Sequence, residues 1–512
     1  MMAAGRVVNI AIGVAMVPLL IHFVRGEGFA VWTILLSCAA AFSVFDLGLP
    51  TALVKHLAVA LDRTQQREGG RIVCTAIVLM GSVYCGAAPA VALLSARLAA
   101  WLGLPDVGAL TAGAAILLTY GAVFARSVLL LGSAVLWARR RFVAVAILSC
   151  GQALASNVAA TAAAGIWRRL DAVVMAYWIA QVTVCACGAL LAIRQLIVDS
   201  GVPGFSMGLA RKLLRYGLRV QVHEWAQTIN FQFDKFVILK AVGLWGVGLY
   251  EVANRSILAL RSVPASGLET LLPSAAAEAT KGASREWYER ATRLAGYAVG
   301  FLVLAPWAIA PVFLYAWIGE MGYVTRWTFG MLAVGCGASL LAVPAGTLVQ
   351  AHDRPGTQAR AALVSIALNI PLSLAFVRVW GVEGAALGTT MAMVIGSLRL
   401  VRDAHGLVEL SPVTTWRQLL LQQWPMWIAC ATFGIATHRT FGWWFLNTDP
   451  TVRHALPFRV SALVLSGLLY AACAGLMLLA KVLLVGLAED ERCQVARWRG
   501  IARNWRQWAF AQ

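Results

Sequence analysis

Acidic residues are scarce in this chain: 23 Asp and Glu stand against 42 Lys and Arg in 512 residues. Charged residues of both signs make up only 13%, too few to clothe a soluble surface. Long polar segments are missing as well. The longest outside loop, near 439–458 with Trp443, Trp444, Asp449 and Arg453, is too small for a catalytic domain. No phosphate-binding P-loop, zinc-type His pair or nucleophile elbow occurs, so neither an enzyme nor a cofactor is expected. The ten cysteines are scattered, with Cys185/Cys187 as the one close pair. They form no C-x-x-C and no His/Cys ligand spacing, which excludes a sequence-recognisable metal site and reads as apolar packing. Arg6 precedes the first apolar run without a small-residue cleavage site after it, so no cleavable signal peptide is expected. The chain starts almost inside its first span, which leaves the role of that helix open.

What remains is apolar. With 60% hydrophobic residues and a mean hydropathy of +0.75, the composition predicts an all-α integral membrane protein. About fourteen spans are expected, near 6–24, 29–54, 72–95, 108–134, 143–165, 172–194, 214–240, 246–272, 293–317, 327–350, 360–379, 384–402, 419–438 and 459–486. The turn from Gly26 to Trp32 and the turn from Gly243 to Tyr250 are alike, each a glycine-bearing loop leading into a long helix. That predicts a parallel repeat of two six-helix lobes, 1–199 and 200–406, such as transporters rock about a central site. Two further transmembrane helices (407–487) and a basic amphipathic tail (488–512) follow, the tail lying on the inner leaflet. About 27 Lys and Arg fall on one side against about 10 on the other, which places both termini in the cytoplasm. The +19 charge is thus orientation signal and attraction to anionic membrane lipids, with no nucleic-acid partner implied.

Polarity inside the membrane is concentrated on two helices. On the seventh span Arg219, His223, Gln227, Asn230 and Asp234 recur at helical spacing, and Gln221, Glu224, Thr228 and Lys235 form a row roughly 100° further round. On the eighth, Glu251, Arg255, Ser262, Ser266 and Glu269 share one sector, flanked by Asn254 and Arg261. Ionisable groups at mid-bilayer cost at least ~2.5–3.5 kcal/mol each unless they meet protein or water, so these rows are expected to line a hydrated cavity. Ion pairs of Arg255 or Arg261 with Glu224 or Asp234 are the competing structural expectation. The first lobe adds Asp46, Lys55 near the rim, and Arg126 beside Tyr120 and Ser127. For Asp46 a local role competes, because Gly48 and Pro50 are expected to break the helix and free backbone donors for its carboxylate. Ser365, Asn369 and Ser373 recur every four residues on the eleventh span. The membrane charge is near neutral to positive, which suits an anionic, phosphate-bearing ligand.

Several short motifs then resemble one family. Phe45-Asp46-Leu47-Gly48-Leu49 is similar to the second-span motif of bacterial polysaccharide exporters, and Arg215-Tyr216-Gly217-Leu218 followed by Phe233-Asp234-Lys235 to their seventh-span pattern. Gly248-Leu249-Tyr250 and Leu271-Leu272-Pro273 fit the eighth span; Gly381 through Gly388 fits the start of the twelfth. Together they resemble the lipid-linked oligosaccharide flippases of O-antigen and exopolysaccharide type. The same superfamily holds the multidrug-and-toxin extruders and the peptidoglycan-precursor flippase. The resemblance implies a V-shaped pair of lobes with alternating access, in the inner membrane of a bacterium. It also implies an undecaprenyl-pyrophosphate-linked oligosaccharide as cargo, with glycan polymerase or assembly proteins as partners. By position it carries over Asp46, Arg126, Asp234 and Lys235. Two other functions compete: a cation-coupled multidrug exporter of the same fold, and a polytopic glycosyltransferase or polymerase using the same lipid carrier.

Overall fold

The computed structural model describes residues 2–62, 66–139, 141–200, 204–269, 275, 284–352, 354–410, 412–449 and 456–485. The basic tail from 488 lies outside them, as do Leu271-Leu272-Pro273. Every regular element among the described residues is helical. Nine stretches among them are long and apolar enough to cross a bilayer on composition alone. Helices stand at each of the expected span positions.

The first lobe begins with α1 (Met2–Phe42), which turns at Arg25 (φ 65°) and so holds two spans without a loop. A 3₁₀ turn, Ser43–Asp46, then breaks the second span. Leu47 and Gly48 both have positive φ, 49° and 67°, and the chain resumes as α2 (Leu49–Asp62). Pro50 sits in its first turn, where its missing N–H costs nothing. Next come α3 (Gln66–Leu102), α4 (Ala112–Ala138), α5 (Phe142–Trp167) and α6 (Leu170–Ser200). Trp32, Trp178 and Tyr84 anchor their core.

The second lobe starts with α7 (Met207–Ala241) and α8 (Leu244–Glu269). The ninth span is α9 (Ser284–Val299), continuing through a π turn, Gly300–Leu304, into α10 (Ala305–Ile318). After α11 (Glu320–Val324), the tenth span is α12 (Arg326–Leu341) running into α13 (Val343–Ala351). The eleventh and twelfth are the two arms of α14 (Pro355–His405), folded at Gly381 (φ 58°). Glycines let these arms touch: a Cβ on Gly388 would lie 2.7 Å from the Ser373 amide nitrogen. Small residues at such crossings are how membrane helices approach in the absence of a hydrophobic drive. The added pair, α15 (Pro412–Asn447) and α16 (Leu456–Leu484), packs on the second lobe through α10.

The lobes meet at two glycine seams. On the predicted outer side the two matching turns face each other. A Cβ on Gly26 would stand 2.8 Å from the Trp245 ring, and one on Gly248 would stand 3.6 Å from the Gly26 carbonyl. On the predicted inner side Gly48 and Gly217 touch backbone to backbone: a Cβ on Gly217 would lie 2.5 Å from Leu47 O. The Asp-Leu-Gly and Tyr-Gly motifs of the two lobes are thus one contact.

Candidate functional site

Three polar clusters lie along the lobe interface and within each lobe. In the first lobe, the 3₁₀ turn presents Asp46 to α3 and α4. Tyr84 donates its hydroxyl to Asp46 Oδ1 at 2.8 Å, and Ser127 donates to the same oxygen. Tyr120 in turn donates to the Tyr84 carbonyl. The helix breaks where Gly48 and Pro50 predict it, yet the carboxylate takes side-chain hydroxyls. Arg126, one residue from Ser127 and exposed, acts on Asp46 electrostatically.

The second cluster joins α7, α8 and α14. Asp234 is fully buried. Its Oδ2 accepts from the Tyr250 hydroxyl at 2.7 Å and from Thr389. Thr389 also contacts Ala385 O at 3.1 Å and Asn369 Oδ1 at 3.4 Å, while Ser373 donates to Asn369 Oδ1 at 2.8 Å. Asp234 Oδ1 is buried with no hydrogen-bond partner among the described residues. A buried carboxylate oxygen without a donor creates demand for one more positive centre, a proton or a small oxygen-seeking cation.

The third cluster is ionic. Lys235 Nζ lies 2.7 Å from Glu251 Oε2, and Arg255 holds Glu251 Oε1 through Nε and Nη2 at 3.0 and 2.8 Å. Lys235 and Glu251 are 3% and 4% exposed. Lys235 also donates to Gln232 Oε1 at 2.9 Å, and Ser37 of α1 donates to that same oxygen at 2.9 Å. This one amide oxygen links the lobes.

The pairings differ from the sequence expectation. Arg255 takes Glu251, one turn back on its own helix and reachable without bridging helices, in place of Asp234; the pairing with Glu224 falls outside the described residues. Arg261 donates to Ser339 Oγ at 3.0 Å. Asp234 turns into the α7–α14 contact. Asn254 is buried at 4%, and Lys55 is exposed with its ammonium 4.1 Å from the Tyr216 ring centre. Of the expected cavity wall, Gln221, Asp234, Lys235, Glu251 and Asn254 are all buried in helix contacts in this conformation. The side chains of Arg219, His223, Glu224, Gln227 and Asn230, and those of Ser266 and Glu269, lie outside the described residues.

Between the lobes, Arg126 and Arg255 both act electrostatically on Tyr177 of α6. Tyr177 is half-buried, edge-on to Trp32 and Trp178 with ring centres 4.7 and 4.8 Å away. Sequence reasoning passed over Tyr84, Tyr250, Thr389, Gln232 and Tyr177. Only Asn369 and Ser373, by their helical spacing, and Ser127, by its nearness to Arg126, left a signal.

The fold has solved relatives at low identity. A lipid II flippase, MurJ, in its inward closed conformation matches with a TM-score of 0.63 and 13% identity, over 92% of this chain and 98% of that one. An inward-facing multidrug resistance MATE family transporter of the MOP superfamily matches with a TM-score of 0.65 and 12% identity, over 79% and 94%. A point mutant of the Vibrio cholerae MATE transporter VcmN matches with a TM-score of 0.57 and 12% identity, over 80% and 96%. No curated protein matches the sequence. Residues 20–327 match the family model described as polysaccharide biosynthesis protein. With more than half of the chain inside that match, this protein belongs to the polysaccharide biosynthesis protein family.

Proposed function

We propose that the chain moves an undecaprenyl-pyrophosphate-linked oligosaccharide from the inner to the outer leaflet of a bacterial inner membrane, by alternating access and without covalent chemistry. The reading rests on one accessible guanidinium in each lobe, exposed Arg126 and the 21% exposed side chain of Arg255, both within electrostatic range of Tyr177. Guanidinium groups suit a pyrophosphate, and an aromatic face suits sugar rings. The family match and the fold shared with a lipid II flippase support the cargo class. Deleting the gene is expected to remove surface polysaccharide and to accumulate lipid-linked repeat units on the inner leaflet. Unchanged glycan with altered drug resistance would instead favour a multidrug exporter, the reading supported by the MATE neighbours. Replacing Arg126 and Arg255 together by Ala is expected to cut surface glycan at least ~10-fold, about 1.4 kcal/mol of lost transition-state binding. Wild-type glycan in that double variant would sink the anion-binding role.

The acceptor-rich cluster at Asp234 is the coupling site in this reading. A proton or a monovalent hard cation there satisfies the unpartnered carboxylate oxygen and draws α7, α8 and α14 together. Glu251 is already matched by two cations and does not serve this role. Asp234→Asn is expected to slow translocation about 10-fold and to abolish its dependence on both pH and sodium. Flipping of a fluorescent lipid-linked saccharide in proteoliposomes reads both. Persistence of the wild-type pH or sodium dependence in the variant would move coupling elsewhere.

A further inference from the structure

We propose that Met426, Cys430, Cys473 and Met477 form a binding site for a soft monovalent cation, Cu(I) or its analogue Ag(I), between α15 and α16. The sequence places Met-x-x-x-Cys on one helix and Cys-x-x-x-Met on its antiparallel neighbour. A four-residue interval stacks each pair of sulfurs on one face. The two helices then bring cysteine level with cysteine, with both methionines one turn nearer the predicted cytoplasmic side.

Three of the four sulfurs stand at a metal's spacing, and Met426 reaches the same pocket. Cys430 Sγ and Cys473 Sγ are 3.8 Å apart, and Cys473 Sγ lies 4.0 Å from Met477 Sδ. A tetrahedral ion with sulfur ligands at ~2.3 Å separates them by ~3.8 Å. Both methionine ends converge on Gly300 in the π turn. A Cβ there would overlap the Met426 methyl and lie 2.9 Å from the Met477 methyl. All four residues are 1% exposed or less, and their apolar surroundings include Ala305, Ala308, Phe301 and Phe433.

That chemistry selects the ion. Thiol and thioether sulfur favours Cu(I), whereas oxygen-seeking cations find no suitable ligands in it. Charge agrees: one cysteine S–H bond breaks and its proton leaves to solvent as a thiolate–Cu(I) bond forms, the other thiol and the thioethers add as neutral donors, and the site stays neutral. A dry apolar seam tolerates a neutral complex and penalises a charged one. Zn(II) reaches neutrality only by displacing both thiol protons and gains little from thioethers. The bound ion ties α15 and α16 to the ninth span at its π turn, outside the three polar clusters.

The test uses the full chain purified in detergent under reducing conditions and loaded with Cu(I) as its acetonitrile complex. A chromogenic Cu(I) chelator competes. One copper per chain is expected to resist the chelator, with a sulfur-only shell at ~2.3 Å by X-ray absorption. A chain keeping only Cys430 and Cys473 among its ten cysteines is expected to retain it. Replacing both by Ser is expected to weaken binding at least ~100-fold, and Met426→Leu with Met477→Leu about 10-fold, in keeping with loss of ligands. The near-isosteric Leu pair keeps the metal-free fold, as thermal unfolding would confirm, so the test stands even if the Ser pair fails to fold. Equal copper retention by wild type and the Leu pair, or a shell containing nitrogen or oxygen, would overturn the site and leave the sulfurs as packing.

Discussion

Glu251→Gln is expected to destabilise the folded chain by about 3–5 kcal/mol, the usual cost of leaving a buried charge without its partner. Glu251 neutralises two cations at once, Lys235 at 2.7 Å and Arg255 at 2.8 Å. The two cations differ in what they can do next. The Arg255 side chain is 21% exposed, whereas that of Lys235 is 4% exposed and, among the described residues, keeps the Gln232 oxygen. Adding Lys235→Met should therefore restore most of the loss, since a hydrophobic isostere removes the stranded ammonium. Thermal unfolding of the detergent-solubilised chain, with membrane yield as a second readout, checks both variants. If the single variant unfolds at the wild-type temperature, the triad is hydrated and the ion pair contributes little.

Gly217→Leu is expected to abolish surface polysaccharide while leaving the chain in the membrane at near-normal amount. The substituted position lies mid-helix, so α7 itself tolerates leucine. What cannot tolerate it is the inner seam, where any Cβ would stand 2.5 Å from Leu47 O. The proposed alternating access needs that seam to close and open, and a leucine holds it apart. A cysteine pair at Lys55 and Tyr216, whose side chains meet across the same seam, is expected to cross-link readily in the otherwise wild-type chain. It should cross-link at least ~10-fold less with Gly217→Leu present, equal to ~1.4 kcal/mol on seam closure. Undiminished cross-linking would mean that the lobes accommodate the side chain. Gly48→Ala adds a backbone penalty of ~1–2 kcal/mol, because Gly48 has φ +67°, and so tests folding and closure together.

Much of this architecture was legible because hydropathy and helical period are local properties. The apolar runs marked the spans, and glycine-rich turns marked the repeat whose two copies, around Gly26 and Gly248, turn out to touch. Gly48 and Pro50 marked the break beside Asp46. The short motifs were legible as a resemblance, yet their reason was not. Gly48 and Gly217 are 169 residues apart, and only their backbone contact explains why neither carries a side chain.

The site was legible as polarity and illegible as pairing. The sequence marked α7 and α8 as bearing charges that lipid would reject, and it named Asp234, Lys235, Glu251 and Arg255 among them. It could not say that Asp234 and Lys235, adjacent in the chain, serve different clusters. On a helix, neighbours point about 100° apart, so Asp234 meets α14 while Lys235 meets Glu251. Nor could it foresee that Tyr84, Tyr250 and Thr389, unremarkable in a membrane helix, hold the two carboxylates. Composition and periodicity by themselves determined a multi-helix membrane protein with a charged inner surface. Which charges pair, which oxygens stay short of a proton, and where the lobes touch were decided by packing alone, because partner choice depends on helix rotation and crossing that no local pattern encodes.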